Sequence, residues 1–470
     1  MKYKLIALFL VIFLILGSIL LSSYYKKDLL FVYHQHLEDS SDESACEGLV
    51  NCSHLPIVSI NTNNQKIPGE NNIKTDYIIG DITVYDNKDK VNQLGVDGIS
   101  NQIRIRYRGR SSLQFDKKSY LIKFINEKNK KINRSFLGMP SDSDWVLHGP
   151  FIDKSLIRNY MWYNIAGEIM TEAPKTRFFE LYLDNEYQGL YLAVEAVTQS
   201  TKSRVKMASI HKNSIATSYL LQLDTDMGNE ITSLNSLSKY TYKIENPIYL
   251  TIKYPNEEEL TEEVKKYIYD DFAAFEKMLY SFDYKEYKKY IDVDSFVDYF
   301  IINEFTQNYD AGYLSTYIYK DIFGKYNMYV WDFNSANNNY QKDFLDKEQY
   351  FEFEKNLWFE MLSKDEDFIE AVIRRYKELR KSYLNEEYLN NYIDATVSYL
   401  GNAIDRNFEV WGYTMDPNYN KFVTSFMPSN YEEAINHLKE SIHKRGEWMD
   451  QNIEALRQYC HESKNKQYNK

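Results

Sequence analysis

The sequence predicts an α+β fold with two lobes, in which a β-rich first lobe precedes a mainly helical second lobe. Short segments with strand-like composition, separated by turns, run from residue 55 to residue 198. From about residue 258 the apolar side chains recur at helical spacing instead. A predicted β-hairpin, with its turn at Gly324, interrupts this helical region. The chain therefore resembles proteins in which β and α structure occupy separate regions.

The N-terminal 54 residues differ in composition from the rest of the chain. Residues 1–4 form a short tail, and residues 5–22 are largely apolar and long enough, as a helix, to cross the core of a bilayer. This segment predicts an uncleaved signal anchor, with a cleaved signal peptide as the alternative. We expect a single-pass membrane protein whose C-terminal domain lies outside the cytoplasm. Residues 23–54 are polar and acidic, which predicts a stalk.

The three cysteines carry little chemical information. Cys46 and Cys52 lie six residues apart and could close a small disulfide loop in an oxidising compartment. A zinc site is the weaker alternative, because no second pair of ligands follows them. Cys460 lies close to the C-terminal residues 461–470, which are predicted to be a disordered tail. No cysteine is a candidate nucleophile.

The elements of the two lobes follow from hydrophobic periodicity. The first lobe, residues 55–198, has one helix candidate at 155–170 and strand candidates at 77–85, 102–107, 119–125, 178–183 and 189–194. The second lobe, residues 199–460, has helix candidates at 258–281, 293–306, 350–362, 366–381 and 386–407. Its last helix begins with a capping box formed by Ser429 and Glu432.

Charge limits the classes of partner that the protein can bind. The 470 residues carry a formal net charge of −12 at pH 7. Nucleic-acid binding requires a basic face, so this balance disfavours a nucleic-acid partner. It disfavours adhesion to anionic lipid surfaces for the same reason.

Two aspartates at strand ends are the strongest indication of chemistry. Asp310 precedes the first strand of the predicted hairpin, and Asp332 follows the second strand, 22 residues later. Phosphotransfer requires one carboxylate that orients the nucleophile and another that holds the metal bridging the phosphates. Asn334 adds a third oxygen donor suited to magnesium. The alternative is that each aspartate only caps a turn.

Candidate phosphate-binding residues lie in the first lobe. Arg108 belongs to a basic turn whose arginines could bind phosphate through two hydrogen bonds, although the turn also fits a solvated edge strand. Lys118 has the same strand phase as Tyr120, so it could point into a cleft, or its ammonium could instead extend to solvent. Glu168 is a candidate partner for this lysine. Glu195 ends the last strand of the lobe, where a hinge to the second lobe is expected.

Several motifs in this order resemble the CotH family, the spore-coat kinase family, over roughly residues 55–455. The matching segments of the sequence are 106–112, 117–124, 137–140, 144–147, 153–159, 180–183, 189–191, 308–310, 314–317, 331–334 and 445–450.

The resemblance implies an atypical protein-kinase-like, two-lobed fold that uses ATP and Mg²⁺ or Mn²⁺ to phosphorylate protein. It implies that Asp310 is the catalytic acid and that Asp332, with Asn334, binds the metal. Lys118 would bind the ATP phosphates, with Lys117 as a rival in the same motif. Two positions depart from the expected pattern. Ser315 stands where a kinase catalytic loop has a metal-binding Asn, and Asn334 replaces a second Asp.

Two hypotheses for function follow. The first is a membrane-anchored, ATP-dependent kinase that phosphorylates Ser or Thr of a cell-surface or coat protein, with Arg108 and Glu195 also contacting the cofactor. The second is a catalytically weak or inactive structural protein that binds partners through the same fold. A metal-dependent hydrolase is a more distant third, because no His-rich ligand set accompanies the acids.

Overall fold

The computed structural model describes residues 32–69, 76–87, 90–201, 203–211, 214–225, 228–236, 248–339, 350–416, 418–419 and 426–460. The predicted anchor at residues 5–22 and both predicted tails lie outside these ranges. Within them, no helix is both long enough and apolar enough to span a membrane. The transmembrane helix of the predicted fold therefore has no counterpart among the described residues.

The β structure of the described residues is distributed among five sheets. The strands are β1 Cys52–Ser53, β2 Ile57–Asn61, β3 Ile78–Tyr85, β4 Asn92–Gln93, β5 Ile99–Arg108, β6 Ser119–Ile125, β7 Arg134–Phe136, β8 Met139–Asp142, β9 Asp144–His148, β10 Thr176–Leu183, β11 Glu186–Glu195, β12 Gln199–Ser200, β13 Val205–Lys206, β14 Tyr219–Asp224, β15 Ser233–Leu234, β16 Tyr249–Tyr254, β17 Thr316–Lys320 and β18 Tyr326–Tyr329. Two of the sheets, a barrel and a five-stranded sheet, determine where the functional site lies.

Seven strands of the first half close into a barrel in the order β10-β11-β9-β6-β5-β3-β2. The closure depends on β2, which pairs antiparallel with β3 and parallel with β10. Along β5, Ile103 and Ile105 point into the barrel, whereas the arginines between and after them point outward. The interior is filled by apolar and aromatic side chains, among them Val58, Ile82, Ile122, Phe124, Trp145, Leu147, Phe179, Leu181, Tyr191 and Ala193.

The prediction of an atypical kinase-like, two-lobed fold is wrong, although the structure is α+β. The β-rich half is a closed seven-stranded barrel rather than an open lobe, and the second half contains a five-stranded sheet in the order β15-β16-β14-β17-β18. Period-2 alternation shows which face of a strand is buried but not which strand lies beside it. The pairing of β2 with β10 joins residues more than 100 positions apart in the chain, so the local pattern carries no sign of it.

Helices cover one outer face of the barrel and the five-stranded sheet. They are α1 Gln35–Glu38, α2 Arg158–Ile169, α3 Glu262–Leu279, α4 Val293–Thr306, α5 Trp358–Leu362, α6 Glu366–Leu379, α7 Glu386–Leu400, α8 Asn402–Trp411 and α9 Tyr431–Asn452. Helix α2 packs with outward-facing barrel residues such as Phe178, Leu192 and Val194 in one large core. That core continues through the five-stranded sheet into α3, α4 and α6, so the barrel and the helical half share apolar packing.

Part of the segment predicted as a stalk packs against the folded body. Gln35 of α1 is fully buried, and its side chain bonds the backbone of Phe178 in β10. Glu43 forms an ion pair with Arg406 of α8 at 2.9 Å. Cys46 and Cys52 form a disulfide, which confirms the small loop suggested by their spacing. The ordered contacts thus begin before residue 55.

Candidate functional site

Helix α2 holds the loop that follows β18. The Asn159 side chain accepts a hydrogen bond from the backbone N–H of Phe333 at 2.7 Å and donates to Asn334 Oδ1 at 3.0 Å. Arg158, one position earlier, donates to the carbonyl of Ala336 at 3.0 Å. One turn later, Trp162 Nε1 donates to Asn337 Oδ1 at 2.7 Å. The conformation of residues 333–337 is therefore set by side chains of a buried helix.

Asp332 lies where this loop leaves β18. Its backbone N–H donates to the Tyr163 hydroxyl at 2.9 Å, and its φ of 58° lies in the left-handed region that a non-glycine residue rarely adopts. The backbone N–H of Asn334 donates to its Oδ1 at 3.3 Å. Burial raises the pKa of Asp332, and the Asn334 hydrogen bond and the charge of Arg108 oppose that rise. Such local strain is typical of functional sites.

Asp310 follows α4, whose C-terminal residue Gln307 adopts the left-handed conformation. The Asp310 carbonyl accepts a hydrogen bond from Leu314 N at 2.7 Å, which closes the turn into β17. Within the described part of the chain, no hydrogen bond or ion pair reaches its carboxylate. Burial, followed by the negative charge of Asp332, raises the pKa of Asp310 to about 7. The two predicted acids therefore influence one another electrostatically.

Asp224, at the end of β14, is a third acid of this site that the sequence analysis did not identify. Its charge contributes to the raised pKa of Asp310 and of Asp332, after the larger effect of burial. The Asp224 carboxylate accepts hydrogen bonds from Gln222 at 2.9 Å and from Thr225 N at 2.7 Å. Its only sequence signal was its place at a strand end. Recognising it required knowing that β14 pairs with β17.

The donor set suits a metal that is shared with phosphates. Among the described residues, no three His, Cys, Asp or Glu side chains form a group that could hold a metal ion by themselves. Magnesium at nucleotide sites commonly uses one or two carboxylates and completes its shell with phosphate oxygens and water. Asp332 and Asp310, two desolvated carboxylates with raised pKa values, fit this open type of site. Asn334 can contribute less, because its Oδ1 already accepts from Asn159.

Positive side chains from the outer face of the barrel approach the acids. The guanidinium of Arg108, at the end of β5, lies 4.9 Å from the ring centroid of Trp331. It makes no hydrogen bond or ion pair to any residue that the structure describes. Lys253 is exposed on β16, within electrostatic reach of Arg108 and Asp224. Arg106 and Lys123 add to the positive charge around Lys253.

His148 connects the barrel to the loop after β18. Burial, followed by the charge of Arg108, lowers the pKa of His148 to about 4, so its ring is neutral near pH 7. Its Nε2 lies 3.2 Å from the Asn159 amide nitrogen and can accept a hydrogen bond from it. Sequence analysis missed both His148 and Asn159, since an isolated polar residue on a strand or helix gives no local signal.

The structure brings Asp310, Asp332, Asn334 and Arg108 together, but it does not bring Lys118 to them. Lys118 has the interior phase of β6, as predicted, but the barrel interior is filled by apolar side chains. Its ammonium donates to the carbonyl of Leu113 at 2.6 Å and lies 5.9 Å from the Tyr107 ring. The predicted partner Glu168 instead bonds His34 at 3.0 Å and Tyr383 at 3.1 Å.

The rival residue Lys117 is buried in a structural role. Its Nζ donates to the Leu190 carbonyl at 2.7 Å and to Asn407 Oδ1 at 2.6 Å, which ties the barrel to α8. Glu195 is fully buried at the far end of β11, opposite Trp145. One oxygen of Glu195 accepts from Lys175 N at 3.1 Å, and nothing links this carboxylate to Asp310 or Asp332 in the described residues.

Comparison with known proteins identifies the family. A family model described as CotH kinase protein matches residues 105–449, which covers the barrel from β5 onward, both acids and most of α9. The inner spore coat protein H of Bacillus subtilis (strain 168) is 26% identical over 249 residues, which is 53% of this chain and 60% of that protein. The chain thus spans about 60% of the length of that relative. The match over residues 105–449 confirms the resemblance, and the chain belongs to the CotH kinase protein family.

Proposed function

We propose that this protein is an ATP-dependent kinase that transfers the γ-phosphate to Ser or Thr of a surface or coat protein. The observation that carries the proposal is a pair of opposite charges, neither of them hydrogen-bonded within the described structure. The Asp310 carboxylate and the Arg108 guanidinium both lie within electrostatic reach of Asp332. Asp310 and Arg108 are both partly buried, and an unpaired charge that is partly removed from water costs free energy. A phosphate–metal complex would compensate both charges at once.

Each residue has a distinct task in this proposal. Asp310 accepts the proton of the attacking hydroxyl, and a pKa of about 7 is close to the optimum for a base at neutral pH. Asp332 would hold the divalent cation, Mg²⁺ or Mn²⁺, with Asn334 as a further oxygen donor. When bound, the cation supplies neutralisation of the β- and γ-phosphates. Arg108 binds a phosphate through its fork of N–H groups.

Two further cofactor contacts stay predictions with less support. Lys118 would have to leave its bond to the Leu113 carbonyl to reach a phosphate bound near Asp332. Glu195 lies at the far end of β11, so it would have to contact a cofactor from there. Arg108 is the better candidate for the positive side of the nucleotide site, since its charge acts on Asp332.

The proposed acceptor follows from the relative that the chain resembles. That relative is named as a spore coat protein. We propose by analogy that this protein also acts at a coat or surface layer. Hydroxyl side chains of a neighbouring coat or surface protein would then be its substrates, and the net charge of −12 favours acceptors that are not themselves strongly acidic.

A protein that keeps the fold without turnover is the second candidate. Two observations favour it: Ser315 occupies the position of a metal-binding Asn, and the Asn334 oxygen is already bonded to Asn159. Both features reduce the number of oxygen donors that a second metal ion could use. In this case the protein would bind partners but transfer no phosphate.

Radioactive phosphate transfer tests the proposal directly. The full chain would be incubated with γ-labelled ATP and Mg²⁺ or Mn²⁺, alone and with casein as acceptor, beside Asp310→Asn and Asp332→Asn. Asp405→Asn is the matched control, because Asp405 is exposed on α8. Transfer that persists in the control and disappears in both site variants supports the kinase. Transfer that is equal in all four proteins contradicts the roles of the two acids. Absent transfer together with absent nucleotide binding favours the non-catalytic alternative.

A further inference from the structure

A cavity lies away from the two acids, beside one end of the barrel. It has a volume of about 160 Å³. Its walls are the start of β10, the end of β11, the turn between β7 and β8, and one side of α2. The volume exceeds that of a single water molecule several times, so a small organic molecule fits.

Arg177 of β10 lines this cavity with a guanidinium that forms no ion pair within the described residues. Its side chain is 5% exposed. Nε donates to the Leu137 carbonyl at 3.3 Å, and the Tyr33 ring covers the guanidinium with its centroid at 3.2 Å. Nη1 has no hydrogen-bond partner, and no carboxylate of the described residues forms an ion pair with this arginine. Burial lowers the pKa of Arg177, and the more distant charges of Asp39 and Asp86 only partly oppose that effect, so an anion in the cavity would stabilise the guanidinium.

Glu195 of β11 lines the same cavity with an unsatisfied acceptor. Its side chain is fully buried. Oε2 accepts from Lys175 N at 3.1 Å, whereas Oε1 has no partner. Desolvation raises the pKa of Glu195, because the charges of Lys175 and Arg204 only partly compensate for burial. A cationic donor in the cavity would stabilise the ionised carboxylate.

The register of β10 and β11 makes these two residues diagonal neighbours. Arg177 is opposite Ala193, two positions before Glu195. Both side chains therefore lie on the same face of the barrel wall, at a distance that long side chains can span. No ion pair joins Arg177 to Glu195. The hydroxyl of Thr176, which also lines the cavity, is buried without a partner.

The other charges around the cavity are largely paired or reach solvent. Lys206 lies 3.8 Å from Glu172, and Arg204 lies 3.0 Å from Asp142. Lys175 is partly exposed. The missing partners are thus an anion for Arg177 and a donor for Glu195, two residues that line the same cavity.

We propose that this cavity binds a small zwitterion of the α-amino-acid class. The ligand carboxylate pairs with Arg177, and its ammonium donates to Oε1 of Glu195. A simple anion would leave Glu195 unsatisfied, and a simple cation would leave Arg177 unpaired. The cavity also touches Tyr163, whose hydroxyl accepts the backbone N–H of Asp332. A ligand bound in the cavity can therefore affect the backbone of Asp332 through the Tyr163 side chain.

Thermal shift and calorimetric titration of the full chain test this inference without reference to kinase activity. The twenty L-amino acids would be screened one at a time, with acetate and methylammonium as the isolated halves of the zwitterion. At least one amino acid should raise Tm and bind at least tenfold more tightly than acetate or methylammonium. Equal binding of acetate would overturn the proposal in favour of a plain anion site. The absence of binding by every compound would identify the cavity as a water site.

Two variants and two matched controls connect any binding to the cavity. Glu195→Gln keeps the shape of the side chain and should weaken binding about tenfold to a hundredfold, as expected for loss of a charged hydrogen bond. Arg177→Met should have at least the same effect. Arg374→Met and Glu387→Gln alter exposed residues of α6 and α7 and should leave binding unchanged. If Arg177→Met does not fold, Glu195→Gln decides alone. Unchanged affinity in Glu195→Gln would exclude this cavity as the site.

Discussion

The side-chain oxygen of Asn159 accepts a hydrogen bond from the backbone N–H of Phe333 at 2.7 Å, so α2 fixes the residue directly after Asp332. Its amide nitrogen contacts His148 Nε2 at 3.2 Å and Asn334 Oδ1 at 3.0 Å. One buried side chain thus connects the barrel, the helix and the acidic loop. The left-handed backbone of Asp332 is maintained by this connection and by Tyr163.

Asn159→Ala should lower both the free energy of unfolding and the affinity for metal-bound nucleotide. Loss of three buried hydrogen bonds should cost about 2–4 kcal/mol in stability. Asn164→Ala is the matched control on the same helix, because Asn164 bonds Tyr392 at 2.9 Å and does not contact the loop. Urea unfolding and calorimetric titration should show stability loss in both variants, with weaker binding only in Asn159→Ala. Equal nucleotide affinity in the two would argue against a positioning role.

Arg108→Met should weaken ATP binding about tenfold to a hundredfold while changing stability by less than about 0.5 kcal/mol. The reason is that the Arg108 side chain makes no hydrogen bond or ion pair in the described structure, so its removal loses its contact with Trp331 and its attraction for Asp332 across a partly exposed site. Lys118→Met is the informative comparison, and we expect it to retain most of the affinity. Fluorescence titration with a labelled nucleotide measures both. The reverse order of effects would restore Lys118 as the main phosphate ligand.

Asp310→Asn should stabilise the metal-free protein above pH 7 and have little effect near pH 4. The folded pKa of about 7 exceeds the ordinary value of 3.8, so the folded state binds more protons than the unfolded state between these values. Stability therefore falls as pH rises through this window. Removing the charge should raise the free energy of unfolding above pH 7 by about 1–2 kcal/mol, a value that already allows for partial solvent access to the carboxylate. Urea unfolding of both proteins at pH 4.5 and pH 8 gives the difference. A gain that is the same at both pH values would contradict a raised pKa.

Arg445→Met should destabilise the helical half severely. Arg445 of α9 and Glu304 of α4 form an ion pair in which each side chain is 1% exposed. Removing one partner leaves a buried charge and should cost about 3–5 kcal/mol. Arg457→Met, which breaks a solvent-exposed pair with Glu370, should have a much smaller effect. Thermal unfolding separates the two. Adding Glu304→Gln to Arg445→Met should cost less than the two single changes combined.

Local elements of the second half were largely predictable from periodicity. The prediction of a helix at 293–306 matches Val293–Thr306, and the hairpin with its turn at Gly324 appears as β17 and β18. The helix predicted at 386–407 is interrupted at Gly401, which adopts a φ of 45°. The N-cap of α9 is Asn430, one residue after the Ser429 that the capping box predicts. These differences concern where helices begin and end, which depends on the backbone conformation of a single residue.

The long-range arrangement was not predictable in the same way. Strands β14 and β16 were missed, so the sheet that brings Asp224 beside the two acids could not be foreseen. The phase of Lys118 was correctly assigned, yet a phase does not say whether the inward face is a cleft or a filled barrel. Asp310 and Asp332 could be proposed from the sequence because their chemistry follows from residue type and spacing. Asn159 and His148 act through three-dimensional contacts that leave no local pattern.

The pairing of β2 with β10 also protects the barrel from association through its strands. An open sheet would present a row of unpaired backbone N–H and C=O groups, onto which another chain can add. A closed ring of seven strands offers no such template. Loss of Ile57–Asn61 would leave β3 and β10 as two open borders and convert a self-limited unit into one that can polymerise.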